Sequence, residues 1–311
     1  MATPAPDWRS RLRLPVIAAP MFLVSGLELA REACRAGVVG GFPAGNARTP
    51  ETLESWFDAL EAEQGSGAAP FAVNLTLAGP LDASPHGQVV LRRQPPILIS
   101  SVGDPAEAAR RVHDWGGLIF HDVTTVRHAE KAAEAGVDGI ILVCAGAGGH
   151  AGALSPFALL PQVRQRFDGL IVLAGAISEG RSILAAQALG ADLVYMGSRF
   201  LATRESIAPD AYKAMVLEAE TKDVVYTPAI SGLPASFLRQ SIEAAGMDLA
   251  NLPPPLSLHR GDLPPGVRAW RDIWSVGQGV GLIGDLPPVA ELVERLAAEY
   301  AAAKQAVQVL V

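Results

Sequence analysis

The chain has 311 residues, of which 50% are hydrophobic and 18% charged, so it is long and apolar enough to bury a large core. Its net charge is −7 and no block of basic residues occurs, which argues against nucleic-acid binding, since that needs a cationic face. The two cysteines, Cys34 and Cys144, are too few for a disulfide framework or a cysteine-rich zinc site. No segment has the roughly 18 uninterrupted apolar residues that a membrane helix needs.

The N-terminal segment has a superficial likeness to a signal peptide, because three arginines precede the apolar residues 14–24. Pro15 and Pro20 interrupt this stretch, which we interpret instead as the first buried strand. Together with the low cysteine content, this interpretation leads us to expect a cytoplasmic protein with neither a membrane nor a nucleic-acid partner.

Eight short apolar runs follow one another along the chain, and most of them precede a turn and an amphipathic segment. Apolar runs without polar alternation are typical of strands buried on both faces, as in parallel sheets. The runs are 16–19, 38–41, 71–74, 97–101, 118–121, 139–143, 170–174 and 193–196. Eight successive strand–helix units favour an α/β fold, a closed (β/α)8 TIM barrel.

Helices are predicted between several of these strands. They cover 51–63, 106–115, 126–135 and 179–189, and the last one ends at Gly190. A doubly wound open sheet is the alternative architecture. That fold usually carries a glycine-rich turn after its first strand, whereas this chain has Pro20-Met21-Phe22 there.

Three segments depart from the simple repeat. Residues 75–95 are rich in Pro, Gly and Ser, which predicts a long loop over the barrel mouth. Residues 204–282 predict a small, mostly helical lid or substrate domain, inserted between the eighth strand and a C-terminal helix at 287–308. The barrel domain would then comprise residues 1–203 and 283–311.

Active sites of such barrels lie at the C-terminal ends of the strands. The residues that follow the eight runs contain no lysine, which excludes a Schiff-base aldolase. They also contain no cluster of carboxylates and histidines, so no catalytic metal is expected.

Small residues follow the last two runs, in Leu173-Ala-Gly-Ala-Ile and Met196-Gly-Ser-Arg-Phe. Small side chains let backbone N–H groups approach an anion closely, and phosphate binding by these two loops recurs in the fold. One glycine after a strand indicates no more than a tight turn. The two loops together predict a phosphate site.

The sixth run leads into Cys144-Ala-Gly-Ala-Gly-Gly-His150, a glycine-rich loop that can lie against a flat ligand. Histidine can accept or donate a proton near neutral pH. A lone histidine is more often structural, but a position facing the predicted phosphate site favours a catalytic role for His150.

Four other residues at strand ends have a structural interpretation beside the functional one. His121 either packs or makes an indirect hydrogen bond, and Asn74 either bonds the edge of a heterocycle or satisfies backbone groups. Cys144 is more simply a small buried hydrophobe than a nucleophile, because no base lies beside it in sequence. Asp122 is most simply a turn or cap residue.

Several separated motifs, in this order, resemble the nitronate monooxygenases, formerly called 2-nitropropane dioxygenases, which are FMN-dependent barrels. The likeness begins at Pro15-Val-Ile-Ala-Ala-Pro-Met21 and includes Val73-Asn-Leu75. It is densest over 121–204 and returns at 231–234 and 277–283.

The resemblance implies FMN as cofactor and His150 as the catalytic base or the hydrogen-bond partner of the nitro group. Gly175, Ala176, Gly197 and Ser198 would hold the phosphate. With the strand-end positions, the predicted cofactor-binding residues are Ala19, Pro20, Met21, Asn74, His121, Gly148, Gly149, Gly175, Ala176, Met196, Gly197, Ser198 and Gln278.

The chain departs from the family pattern at two of its site positions. Asp122 stands where some members carry a lysine, which would alter the electrostatics near the flavin, and Ala176 stands where a second glycine is usual. Residues 75–95 do not match the better-known members. These departures bear on the substrate more than on the cofactor.

The resemblance implies oxidation of a small alkyl nitronate by FMN and O2 to a carbonyl compound and nitrite. The alternatives are an NAD(P)H-dependent enoyl-acyl-carrier-protein reductase, a biosynthetic flavin oxygenase on the same scaffold, a flavin binder without activity, and a phosphosugar enzyme without flavin. The expected partners are therefore a small-molecule substrate and O2. A monomer and a homodimer are both compatible with the sequence.

Overall fold

The computed structural model describes residues 8–258 and 260–309. Residues 1–7, 310 and 311 of the predicted barrel domain, and residue 259 of the predicted lid, lie outside the described residues. The strands are β1 (Val16–Ala18), β2 (Val39–Pro43), β3 (Phe71–Thr76), β4 (Ile97–Ser101), β5 (Leu118–Val123), β6 (Gly139–Val143), β7 (Gly149–His150), β8 (Leu170–Ala174), β9 (Leu193–Met196), β10 (Val224–Thr227) and β11 (Ala235–Leu238).

Eight parallel strands close into a barrel in the order β1-β2-β3-β4-β5-β6-β8-β9. Closure is made by the first and last strands, where Val16 lies opposite Val194 and Ala18 opposite Met196. Each of the eight apolar runs corresponds to one of these strands, so the predicted (β/α)8 barrel is confirmed.

Alternate residues of each strand divide between two apolar regions, as the two-residue period of a strand requires. Ile17, Ile99 and Phe120 belong to a cluster inside the barrel, which contains no helical residue. Val16 and Leu98 belong to the larger cluster between the barrel and its surrounding helices. The barrel is therefore a packed core rather than a channel.

The helices lie between the strands along the chain. They are α1 (Leu27–Ala36), α2 (Pro50–Gln64), α3 (Pro85–Arg93), α4 (Ala106–Asp114), α5 (Val126–Glu134), α6 (Pro156–Arg164), α7 (Gly180–Leu189), α8 (Ser198–Leu201), α9 (Asp210–Glu218), α10 (Arg239–Ala244) and α11 (Val289–Val309). Helix α7 ends at Gly190 in the left-handed conformation (φ 112°), as predicted. None of the described helices is both long and apolar enough to span a membrane.

The prediction of a loop over residues 75–95 is wrong in its second half, which forms α3. Ser84 caps this helix by accepting a 3.0 Å hydrogen bond from the Gly87 backbone N–H, and Pro85 occupies the first helical turn. A serine followed by proline is a favourable helix start. The buried face consists of Gly87, Val89 and Val90, which is too short to give a clear helical period in the sequence.

Residues 204–282, predicted to be mostly helical, contain α9 and α10 together with β10 and β11, which the sequence did not predict. The two strands pair antiparallel, and β11 also pairs with β7, where Ala235 lies opposite His150. The resulting three-stranded sheet, here called the lid sheet, includes the end of the glycine-rich loop. The division of the chain into two domains stays a prediction.

Helix α11 packs across the start of α7 with almost no space between the backbones. A Cβ atom on Gly180 would lie 2.3 Å from the Tyr300 backbone nitrogen and 2.5 Å from the Leu296 carbonyl oxygen. Backbone atoms cannot move aside as a flexible side chain can, so only glycine fits here without displacing α11.

We expect Gly180→Ala to lower the free energy of unfolding by about 1–3 kcal/mol, the usual cost of overpacking a close contact. Urea unfolding monitored by circular dichroism measures this loss. Gly284→Ala is the matched control, because no atom lies within 4 Å of a Cβ built there. Equal stability of the two variants would contradict the close contact.

Candidate active site

A cavity of about 1760 Å³ lies at the C-terminal ends of the barrel strands. Most of the predicted site residues line it, namely Ala19, Pro20, Met21, Asn74, His121, Gly148, Gly149, His150, Gly175, Ala176, Gly197 and Ser198. The other two predicted residues do not. Met196 is fully buried and its carbonyl accepts a 3.0 Å hydrogen bond from the Ala19 N–H, while Gln278 is exposed beside the cavity.

Asn74, Ser101 and Asp122 stand at the ends of three adjacent strands and form what we call the polar arc. Each lies two residues after a residue of the interior cluster (Ala72, Ile99 and Phe120), so their side chains also face the barrel axis. Asn74 Nδ2 donates to Ser101 Oγ at 2.8 Å, and Ser101 Oγ donates to Asp122 Oδ2 at 2.5 Å. A continuous hydrogen-bonded chain thus crosses one side of the cavity floor.

Within this hydrogen-bonded chain, only one of the two carboxyl oxygens of Asp122, Oδ2, has a partner. Its Oδ1 atom is buried and has no hydrogen-bond partner among the described residues. Burial raises the pKa of Asp122 to about 6, against the opposing effect of the Ser101 hydrogen bond. Across the barrel, burial and then the charge of Asp122 raise the pKa of Tyr195.

His121 precedes Asp122 and therefore points to the opposite side of β5. Its Nδ1 is hydrogen-bonded to Ser100 Oγ at 2.8 Å. Burial lowers the pKa of His121 to about 4, so the ring is neutral near pH 7. The structure thus separates His121 from the polar arc, although both reach the same cavity.

Asp122 and His121 give the stability of the fold opposite pH dependences. The pKa of Asp122 rises from 3.8 to about 6 on folding, so its contribution is present at low pH and is lost as the pH increases through this range. The pKa of His121 falls from 6.5 to about 4, so its contribution is lost as the pH decreases through that range. Between pH 4 and pH 6, the two opposite changes in the free energy of unfolding nearly cancel.

Asp122→Asn removes the contribution of Asp122 to the pH dependence of stability. We expect the variant to be more stable than the parent chain by about 2–3 kcal/mol at pH 8, at about 1.4 kcal/mol per pKa unit, and equally stable near pH 4. Urea unfolding at both pH values measures the difference. Asp114→Asn, which removes an exposed carboxylate, should change neither value. A constant difference between the variants across this range would contradict the raised pKa.

The glycine-rich loop is held by the lid sheet rather than left free. The Gly149 N–H donates to Ser275 Oγ at 2.6 Å, and Ser275 Oγ donates to the Ser236 carbonyl at 2.7 Å. Gly149 has a φ of +71° and open space where a Cβ would stand. Glycine is therefore favoured there by backbone conformation, and it leaves room for a ligand.

His150 is oriented by two residues of the 204–282 segment. Its Nε2 lies 3.2 Å from Ser231 Oγ, and its ring meets the Trp270 ring edge-on at 5.0 Å. Ser231 donates its own proton to the Leu233 carbonyl at 3.0 Å, so Oγ accepts from Nε2–H. Ser231 and Trp270 thereby fix the orientation of the His150 ring.

The two loops predicted to bind phosphate are tied together through a third segment. The Gly146 carbonyl accepts from both Ala176 N (3.2 Å) and Gln278 N (2.9 Å). Ser198 Oγ accepts from the Gly277 N–H at 2.9 Å, which leaves the hydroxyl proton for donation to a ligand. Ala176 has a φ of +53°, a conformation that favours glycine, so this loop is strained.

These loops present backbone and hydroxyl groups but no cation. Arg199 follows Ser198 but is buried to 97% and bound to Asp285 at 2.9 Å, so it is held away from the cavity. A Cβ on Gly197 would only reach ordinary contact with Met21 Sδ, at 3.5 Å, so the space beside it is open. A small anionic group of a ligand fits this arrangement of backbone and hydroxyl donors.

Other chemistries fit the described residues less well. Burial raises the pKa of the Cys144 thiol to about 12, which makes it a poor nucleophile and agrees with the interpretation as a buried hydrophobe. Within residues 8–258 and 260–309, no three His, Cys, Asp or Glu side chains are grouped as a metal site would need.

Sequence reasoning missed the residues that support His150. Trp270 and Ser275 lie in a segment without a recognisable pattern, more than 100 residues from the loop that they contact. Ser231 stood in a motif that resembles the family, and Ser101 stood at a strand end. Position was therefore a usable signal for these two serines, but their hydrogen bonds were not predictable.

Comparison with known proteins agrees with the geometry. The family model described as nitronate monooxygenase matches residues 84–299. A protein of Mycobacterium tuberculosis named as a monooxygenase is 31% identical, over 84% of this chain and 76% of its own length. A second M. tuberculosis protein, a dehydrogenase of a hydroxy-methyl-oxo-octahydroindene-carboxyl-CoA, is 29% identical over 73% of this chain and 64% of its own length, less than two thirds.

A solved structure extends the comparison to nearly the whole fold. The nitroalkane oxidase of Streptomyces ansochromogenes superposes with a TM-score of 0.79 and 27% identity, over 96% of this chain and 99% of that one. The family match covers more than half of the chain, and it includes the glycine-rich loop and both predicted phosphate loops. The chain therefore belongs to the nitronate monooxygenase family and is a flavin-dependent oxidoreductase.

Proposed function

We propose that the protein binds FMN in the cavity and oxidises alkyl nitronates, with O2 as the oxidant, to a carbonyl compound and nitrite. The observation that carries this proposal is the placement of His150. It stands on the rim of a cavity whose other side is formed by two cation-free loops of small residues. When bound, FMN would accept an electron from the substrate and pass it to dioxygen.

The phosphate of FMN would be held by backbone N–H groups near Gly175, Ala176 and Gly197 and by the Ser198 hydroxyl. Ser198 supports this role because its oxygen already accepts a hydrogen bond, so its proton is directed outward. Backbone donors in a partly enclosed site can bind an anion without a lysine or arginine.

His150 would take the proton from the α-carbon of a neutral nitroalkane, or hydrogen-bond the nitro group of a nitronate. The Ser231 hydroxyl supports either role, because its oxygen can accept a hydrogen bond from Nε2 and so holds the ring in one orientation. Trp270 limits rotation of the ring from one side. A base that is oriented before the substrate arrives loses little freedom on reaction.

Removal of the imidazole tests this role. We expect His150→Ala to retain FMN while its kcat with a neutral nitroalkane falls by about 100-fold or more, the usual contribution of a general base. Steady-state rates and the flavin content of the purified protein are the measurements. His128→Ala is the matched control, since His128 lines the same cavity from α5. An unchanged rate in His150→Ala would sink the proposed mechanism.

The redox partner is tested by mixing the purified protein anaerobically with an alkyl nitronate and, separately, with NADPH. We expect the nitronate to bleach the flavin absorption band and air to restore it. Bleaching by NADPH alone would contradict the proposal and favour a reductase. A protein that neither holds nor binds FMN would contradict the cofactor assignment.

A second candidate function is oxidation or reduction of a thioester substrate. One of the similar proteins is named as the dehydrogenase of a CoA thioester. The cavity volume also exceeds the roughly 300–1,000 Å³ of common small-molecule sites, so it has room for a flavin and an extended substrate together. Flavin bleaching by a CoA thioester, but not by a nitronate, would favour this candidate.

A further inference from the structure

The cavity contains one polar group for which neither the fold nor the proposed roles above give a use. Asp122 Oδ1 is buried, faces the barrel axis and has no partner among the described residues, while Oδ2 is occupied by Ser101. A buried polar atom left without a hydrogen bond is destabilising, so such a group in a binding cavity indicates a ligand that satisfies it.

The direction of the polar arc limits what Asp122 can do. Asn74 donates to Ser101, and Ser101 donates to Oδ2, so both hydrogen bonds of the chain are directed toward Asp122. Below the carboxyl group lies the apolar interior of the barrel, with Phe120 on the same side of β5. No lysine or arginine forms a salt bridge with Asp122 in the described part of the chain.

Around Asp122, only the Ser101 hydrogen bond favours the charged form, and burial outweighs it. Tyr195 on β9 is the titratable side chain across the barrel from Asp122. Burial, and then the charge of Asp122, raise the pKa of the Tyr195 phenol. His121 points to the other side of β5, and burial keeps it neutral. The neighbours on β3 and β4, Asn74 and Ser101, carry no charge.

We propose that Asp122 binds the flavin as a neutral carboxylic acid, donating a hydrogen bond from Oδ1 to an acceptor on the polar edge of the isoalloxazine. This inference rests on the FMN cofactor proposed above. The polar edge of an isoalloxazine carries several carbonyl and ring-nitrogen acceptors and a single N–H donor. A neutral acid therefore complements most of that edge, whereas a carboxylate would face acceptors and repel them.

The consequence is a flavin affinity that depends on the protonation of Asp122. Burial already raises the pKa of this group to about 6 before a ligand arrives. A ligand that binds the neutral form raises this pKa further, and its affinity falls at most tenfold per pH unit above the starting pKa. The FMN-bound and FMN-free proteins should thus differ most in the protonation of Asp122 at mildly alkaline pH.

The test is titration of the deflavinated chain with FMN between pH 5 and pH 8, followed by the quenching of flavin fluorescence. Four proteins are compared: the parent chain, Asp122→Asn, Asp122→Ala and Asp104→Asn. Asp122→Asn keeps the shape and a donor but cannot ionise. Asp104→Asn removes an exposed carboxylate of the same cavity, whose Oδ1 caps the Ala106 N–H.

We expect the parent chain and Asp122→Asn to bind FMN with similar Kd at pH 5. The ratio of their Kd values should then grow to at least about tenfold in favour of Asp122→Asn at pH 8. Because the FMN phosphate titrates identically with every protein, this ratio cancels its contribution. Asp104→Asn should follow the parent chain, and Asp122→Ala should bind more weakly than Asp122→Asn throughout.

A ratio that stays near one at every pH, or a parent chain that binds more tightly as the pH rises, would overturn the role of Asp122 while leaving FMN binding intact. Failure of all four proteins to bind FMN at any pH would overturn the cofactor proposal, and this inference with it. Thermal unfolding of each deflavinated protein shows whether a weak binder is folded.

Discussion

Pairing between β1 and β9 is the constraint on which the rest of the molecule depends, because it closes the sheet. Because all eight strands are parallel, their C-terminal ends lie at one end of the barrel, and closure arranges them in a ring where residues from distant parts of the sequence meet. It also determines which residues face the axis. A shift of one residue in the register of β5 would exchange Asp122 for His121 at the cavity floor and disconnect the polar arc. The chemistry of the site is thus a consequence of register.

The strands were predictable from the sequence because a strand that is buried on both faces is a short run of apolar residues, which is a local feature. Helix α3 was not predictable, because its buried face consists of only two valines and a glycine. It begins at Ser84-Pro85, in a segment whose Pro, Gly and Ser content favoured the prediction of a loop. The strands β10 and β11 were not predicted either. Both are short, and the second partner of β11, β7, lies some 85 residues away in the sequence. Pairing over that distance is decided by the assembled fold and not by local preference.

The residues of the candidate site also divide into those that the sequence alone could identify and those that it could not. His150 and the small residues near Gly175 and Gly197 were recognisable, because position after a strand and small size are local properties. The unsatisfied oxygen of Asp122 was not, since it results from three strands meeting side by side. Asp122 was interpreted as a turn or cap residue. Its geometry instead places a buried, unsatisfied oxygen at the floor of the cavity, where a fold selected for stability alone would not keep it.

The lid sheet bears on how a substrate reaches the site. His150 belongs to β7, which pairs with β11, and the neighbouring Gly149 is bound to Ser275. Any outward swing of β11 would either break these hydrogen bonds or carry His150 away from the cavity. His150 and the lid sheet therefore form one hydrogen-bonded unit. Entry through the open mouth of the cavity preserves this unit, so substrate access does not require the lid sheet to separate from the barrel.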